Sequence, residues 1–214
     1  LGDLALHEAS MLVSTTGAPL LRLWRQMTVE LVHGQLWDLT QAACRGRRVE
    51  ISRAIARLKT GRYSVTRPLQ LGATAAQADP ALVAALGQFG DLVGDAFAIR
   101  DDILGIWGDP AITGKPAGDD LREAKPTLLL TLASQRVPPD ERDLWSRCDA
   151  GILGDDDVRR LADDLVDWGV RDEAEAVIVD LVRRAEAALA ELTLPVEARE
   201  ALLELLHSCA WRQS

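Results

Sequence analysis

Clustered carboxylates and three lysines are the groups in this 214-residue sequence whose types and spacing invite chemistry. The carboxylates form four clusters: Asp101-Asp102, Asp119-Asp120, Asp155-Asp156-Asp157 and Asp163-Asp164-Leu165-Val166-Asp167. Any of them could offer oxygens to a hard divalent cation such as Mg²⁺, which takes a few carboxylates together with phosphate oxygens. The last cluster spells D-D-x-x-D, yet at about 100° per residue Val158, Leu161, Leu165 and Trp168 share one helix face while Asp163, Asp164 and Asp167 point away. That pattern predicts a solvated acidic face. Asp155 to Asp157 open a predicted helix, where carboxylates complement the helix dipole. Asp101-Asp102 differs, because apolar residues surround it and Gly105 lies one turn on. Two carboxylates beside an apolar cavity repel by up to about 4 kcal/mol at 4 Å and moderate dielectric, which a divalent cation relieves.

Lysine is rare here: of 24 basic residues only Lys59, Lys115 and Lys125 are lysines, and the rest are arginines. Lys59 begins Lys59-Thr60-Gly61-Arg62-Tyr63, near a predicted helix end. Lys115 lies in the loop Thr113-Gly114-Lys115-Pro116-Ala117-Gly118, and Lys125 is expected one to two turns into the following helix. Carboxylates for metal with lysines in a loop and at helix ends describe a site for a polyphosphate ligand. No G-x-x-x-x-G-K-[ST] run and no parallel-sheet pattern occur, which excludes a P-loop nucleotide site.

The elements that would position these groups read as helices throughout, with no convincing strand alternation. The expected helices are 2–14, 19–44, 50–61, 66–77, 80–107, 119–134, 140–148, 154–168, 170–192 and 196–213, broken at Gly17-Ala18-Pro19, Arg45-Gly46-Arg47, Asp79-Pro80, Gly108-Asp109-Pro110, Pro138-Pro139 and Pro195. The stretch from Gly108 to Gly118 is poor in large apolar residues and long enough to be a functional loop. On the helix 80–107, Gly87, Gly90, Gly94, Ala98 and Gly105 form a stripe around Asp101. Small residues allow a close helix crossing, but glycine costs a helix about 1 kcal/mol relative to alanine. A stripe that ends in a carboxylate favours the wall of a ligand cavity.

Hydrophobic residues at 48% and charged residues at 27% exclude intrinsic disorder. A net charge of −9 argues against nucleic acid as a partner. Cys44, Cys148 and Cys209 form neither a zinc pattern nor a disulfide framework, so a cytoplasmic location is expected. No membrane span is expected, and no signal segment opens the sequence. The first residue is Leu rather than Met, within what reads as a helix, so a longer protein is expected.

The run from Gly94 to Gly105, followed by Gly108-Asp109-Pro110 and Gly114-Lys115-Pro116-Ala117-Gly118-Asp119-Asp120-Leu121, resembles the second aspartate-rich motif of trans-isoprenyl diphosphate synthases, most closely the actinobacterial geranylgeranyl type. Gly34-Gln35-Leu36-Trp37-Asp38-Leu39 and Lys59-Thr60-Gly61-Arg62-Tyr63 agree in order and spacing, and the similarity runs from residue 1 to about residue 185. The resemblance implies an all-α, isoprenoid-synthase-type bundle around a deep apolar cavity, a homodimer, and Mg²⁺-dependent condensation of isopentenyl diphosphate with an allylic diphosphate. Asp101 would ligate Mg²⁺ with Asp102 and Asp120 in the outer shell; Lys59, Lys115 and Lys125 would bind diphosphate; and Thr60 and Gln35 would face the allylic cation. The sequence departs from the family pattern at Ala98, where most members have Gln, and at Gly105, where the motif has its third Asp. The first D-D-x-x-D motif is absent, so residues 1–214 are expected to be the C-terminal portion of one prenyltransferase domain, incomplete as a catalyst. Two other readings are a non-catalytic subunit or remnant that binds a partner synthase, and a class I terpene cyclase or head-to-head synthase.

Overall fold

A computed structural model describes residues 1–44 and 46–213 of the chain, so Arg45, in one of the expected breaks, lies outside the described residues. The order is α1 (Gly2–Ser14), α2 (Ala18–Cys44), α3 (Val49–Ala56), a π-helical segment (Arg57–Thr66), α4 (Arg67–Ala75) and α5 (Pro80–Trp107). The short α6 (Pro110–Thr113) and α7 (Asp119–Arg122) follow, then α8 (Leu128–Ser134), a 3₁₀ turn (Pro139–Glu141), α9 (Arg142–Asp149), α10 (Asp155–Asp167), α11 (Val170–Ala190) and α12 (Val196–Trp211). No strand occurs among the described residues. The three cysteines are free thiols.

α5 is the central helix. Asp79 caps it, its carboxylate accepting from the Ala81 N–H at 2.7 Å, and Pro80 opens its first turn, where a missing N–H costs nothing. Phe89, Val93 and Ala96 are fully buried in a core completed by Leu128 to Leu130, Leu161, Leu165, Ile178 and Leu206. By length and composition α5 could cross a membrane, but those same apolar side chains are what the surrounding helices cover.

The expected gap between helices at 62–65 is absent. α3, the π-helical segment and α4 run on without a break, since the wider π turn accommodates Pro68 at the start of α4. The π-helical segment is gripped backbone to backbone from two sides. A Cβ at Gly34 of α2 would stand 2.6 Å from the Lys59 nitrogen, and one at Gly94 of α5 would stand 2.8 Å from the Gly61 Cα. A Cβ at Gly90 would likewise meet the Thr66 Cα at 2.8 Å. This corrects the cavity-wall reading of the glycine stripe over most of its length: Gly90 and Gly94 are a close helix crossing, and of the small residues in the stripe only Ala98 and Gly105 line a cleft.

Ion pairs tie the same three layers. Glu30 of α2 accepts from Arg67 at 2.9 and 2.6 Å and from Arg62 at 2.9 Å, while Asp91 of α5 accepts from Arg62 and from the Thr66 hydroxyl. Burial alone would raise the Glu30 carboxyl, but the hydrogen bonds and charge of Arg67, with Arg62 beside it, hold it below its ordinary value.

Candidate functional site

α2, α3, the π-helical segment, α5 and the loop before α7 enclose a cleft of about 430 Å³. Buried Ile55 and Ala98 line part of it, and charged and hydroxyl side chains make up most of the rest. The Gly34 and Gly61 crossings set the position of Lys59 and Thr60, which both line the cleft. Lys59 Nζ donates to Asp38 on α2 at 2.5 Å.

Asp101, Asp102 and Gly105 of α5 form the opposite side. Asp101 is exposed in the cleft and pairs with Arg212. Asp102 is only partly accessible; removal from water, with the Asp120 and Asp101 carboxylates close by, pushes its pKa well above the ordinary carboxylate value. Asp120, 6% exposed, stands against α5 because residue 105 has no side chain: a Cβ there would lie 2.3 Å from Asp120 Oδ2. The sequence's departure from Asp at this position therefore has a packing reason. Burial raises the Asp120 carboxyl, with the Lys125 ammonium, its ion-pair partner, working the other way.

Lys125 is not within a helix. The expected helix 119–134 breaks into α7 and α8, because Pro126 disfavours helical backbone at the residue before it. Ala124 adopts a left-handed φ of +49°, a conformation that costs about 1 kcal/mol or more away from glycine. The turn this makes aims Lys125 into the cleft. Arg47 holds the turn from behind, donating to the Lys125 carbonyl at 3.3 Å while its guanidinium is fixed by Asp149 and the Trp145 ring. Thr127 then caps α8, accepting from the Leu130 N–H at 3.2 Å.

Lys59, Thr60, Lys115, Lys125, Asp101, Asp102 and Asp120 thus share one cleft. Lys115 is exposed on its loop and makes no ion pair among the described residues. Gln35 is not brought in: it lies exposed on α2, one turn before Asp38, which is the α2 residue that lines the cleft. Asp155 to Asp157 do open α10, and Asp157 accepts from the Gly154 N–H at 3.0 Å as a cap. Asp163 and Asp167 are exposed, but Asp164 corrects the expectation of a wholly solvated face. It is partly buried, Glu141 adds to the burial that raises its carboxyl, and one oxygen has no hydrogen-bond partner among the described residues. The sequence pattern points to no role for Asp38, Arg47 or Arg212. Asp38 lies within Gly34-Gln35-Leu36-Trp37-Asp38-Leu39, where its neighbour Gln35 fits the family pattern, whereas Arg47 and Arg212 reach the cleft through contacts 78 and 111 residues away in sequence, which no local pattern signals.

A sequence profile of the polyprenyl synthetase family matches residues 1–165. The chain belongs to that family. It is 34% identical over 186 residues to a geranylfarnesyl diphosphate synthase of Aeropyrum pernix, covering 85% of this chain and 56% of the relative. A 63-residue stretch, 29% of this chain and 18% of the relative, is 54% identical to a geranylgeranyl diphosphate synthase of Mycobacterium tuberculosis. The crystal structure of a geranylgeranyl pyrophosphate synthase of Corynebacterium glutamicum, complexed with isoprenyl diphosphate and magnesium, superposes with a TM-score of 0.91 at 36% identity, covering 99% of this chain and 62% of that one. The all-α architecture is the isoprenoid synthase fold of such neighbours. The chain spans 56% of the length of the Aeropyrum relative and 62% of the Corynebacterium one.

Proposed function

We propose that the cleft binds an allylic diphosphate for head-to-tail condensation with isopentenyl diphosphate, as one wall of a prenyl diphosphate synthase. The observation that carries this is the convergence of Lys59, Lys115 and Lys125 on one cleft with Asp101, Asp102 and Asp120. Loading is an exchange of partners: Lys59 leaves Asp38 and Lys125 leaves Asp120, and each turns to a diphosphate oxygen. Lys115 is already exposed in the loop.

Among the described residues no three carboxylate, imidazole or thiol groups converge as a preformed metal cluster. The donors nevertheless fit Mg²⁺, since Asp101 presents hard oxygens to the cleft and the crowding of Asp102 by Asp120 and Asp101 calls for a positive charge there. Asp101 would hold the ion, with Asp102 and Asp120 in the outer shell. When bound, Mg²⁺ supplies charge stabilisation to the leaving diphosphate.

The lysines stabilise the same developing charge as the allylic C–O bond breaks with its electron pair on oxygen. The double bond of isopentenyl diphosphate then attacks the allylic carbon and a proton is lost. Thr60, which lines the cleft, offers its hydroxyl oxygen to the transient cation, and apolar residues such as Ile55 and Ala98 keep water away, whereas Gln35 stays outside the cleft. In this reading residues 1–214 are the C-terminal portion of one prenyltransferase domain, acting in the cytoplasm as a homodimer. The apolar face left exposed on α2, including Val32, Leu36 and Leu39, supports the dimer.

The test is incorporation of isopentenyl diphosphate into farnesyl diphosphate with Mg²⁺, by this chain and by a version extended upstream with a family D-D-x-x-D segment. The extended protein turns over, its Asp101→Asn variant does not, and its Asp163→Asn variant is unchanged. Activity that survives Asp101→Asn and is lost in Asp163→Asn would move the site to α10.

A further inference from the structure

Arg212 lies in the extended residue that ends α12, and its guanidinium pairs with Asp101 while standing 4.2 Å from the Phe97 ring centroid. It therefore covers two residues one turn apart on α5. That placement is built rather than incidental. Arg100, the neighbour of Asp101, is 8% exposed and donates from Nε to the Ala210 carbonyl at 2.7 Å. The same guanidinium forks onto Glu175 at 2.8 and 2.6 Å and lies 5.4 Å from the Trp211 ring. Arg100 so fixes residues 210 and 211, and Arg212 is delivered to the adjacent carboxylate. The Nε of Arg212 is buried with no hydrogen-bond partner among the described residues, so Asp101 and the aromatic face are what hold this side chain.

We infer that Arg212 is the resident counter-cation of Asp101, which a divalent cation must displace, so that the cleft takes up metal tightly only together with a diphosphate. The inference rests on the diphosphate reading of the cleft. Asp38 and Asp120 are likewise paired with Lys59 and Lys125, so each of these three carboxylates has a cation of the protein's own beside it. A metal ion arriving alone competes with Arg212 and leaves the guanidinium without its carboxylate. A metal arriving with diphosphate brings anionic oxygens to which the displaced guanidinium and ammonium groups turn. Metal and diphosphate are then coupled through Arg212, and by linkage its removal strengthens binding of metal alone and reduces the increment that diphosphate adds.

The experiment is a Mn²⁺ titration of the 214-residue chain followed by water-proton relaxation enhancement, which separates protein-bound Mn²⁺ from the free ion and from its soluble pyrophosphate complex. It is run with and without inorganic pyrophosphate, on the wild type, Arg212→Gln, Arg212→Lys, Asp101→Asn and the Asp101→Asn/Arg212→Gln double variant. Arg212→Gln binds Mn²⁺ alone about five- to tenfold more tightly, and the increment from pyrophosphate falls by the same factor. Arg212→Lys, which keeps the charge, stays near the wild type, and the double variant shows no gain. Equal or weaker Mn²⁺ binding by Arg212→Gln, with helicity unchanged, overturns the inference while leaving the diphosphate site standing. If Asp101→Asn binds Mn²⁺ with pyrophosphate as the wild type does, the diphosphate reading fails and this inference fails with it.

Discussion

At the scale of single residues, the cleft depends on where side chains are missing as much as on where they are present. Gly105 leaves the space in which the Asp120 carboxylate stands, 2.3 Å from where a Cβ would be. Gly105→Ala pushes Asp120 out of line with Lys125, so pyrophosphate affinity in the presence of Mg²⁺ is expected to fall about tenfold, read by calorimetry. Its stability is expected to change little, because the displaced atom is the end of a side chain rather than backbone. A Gly105→Ala variant that binds pyrophosphate normally would show that the position of Asp120 is immaterial. The meeting of Asp101 and Lys115 in one cleft is legible from the sequence because both fall in one short stretch, Gly94 to Leu121. The partners that restrain the cleft's charged groups are not: Arg212 meets Asp101 across 111 residues, and Lys125 is aimed by a left-handed Ala124 that a helical pattern hides.

At the scale of elements, the π-helical segment is the part that must not move, since it carries Lys59 and Thr60. Its contact with α5 at Gly61 and Gly94 is backbone on backbone. Gly94→Ala is therefore expected to destabilise the chain by about 2 kcal/mol despite the higher helix propensity of alanine, measured as a lowered urea midpoint. An unchanged or raised midpoint would mean the two helices can part without cost. The ion pairs that join α2 to this segment add a pH dependence. Because Arg67 and Arg62 hold the Glu30 carboxyl below its ordinary value, the chain gains stability from Glu30 at pH values above that ordinary value, and loses it as pH falls through the lowered one. Glu30→Gln should cost about 2 kcal/mol at neutral pH and flatten the fall in stability between about pH 5 and pH 3, seen in urea midpoints across that range. A slope as steep as that of the wild type would remove Glu30 from the account of acid sensitivity. The boundaries of α5 were legible to the residue, since Asp79-Pro80 and Gly108 are strong local stops. The continuity from α3 to α4 was not, because Lys59-Thr60-Gly61-Arg62-Tyr63 reads locally as a helix end and only the π turns carry the helix on through it.

At the scale of the molecule, α1 and α2 carry more apolar surface than one chain covers. Within α2 only Met27 and Gly34 are buried, while Leu21, Val29, Val32, Leu36, Trp37 and Leu39 are exposed. A second copy seated on this surface is expected to give a dimeric mass by light scattering at micromolar concentration, and Leu36→Glu with Leu39→Glu should return a monomer with unchanged helicity. A chain that stays monomeric throughout that range would contradict the dimer.

The central claim, that the cleft is built for an allylic diphosphate, is tested most directly by binding of farnesyl thiodiphosphate, an unreactive analogue, to the 214-residue chain by calorimetry with and without Mg²⁺. The predicted result is weak binding that requires Mg²⁺, is lost in Asp101→Asn and in Lys125→Ala, and is kept in Asp163→Asn. Binding that is indifferent to Mg²⁺, or that survives both Asp101→Asn and Lys125→Ala, would contradict it.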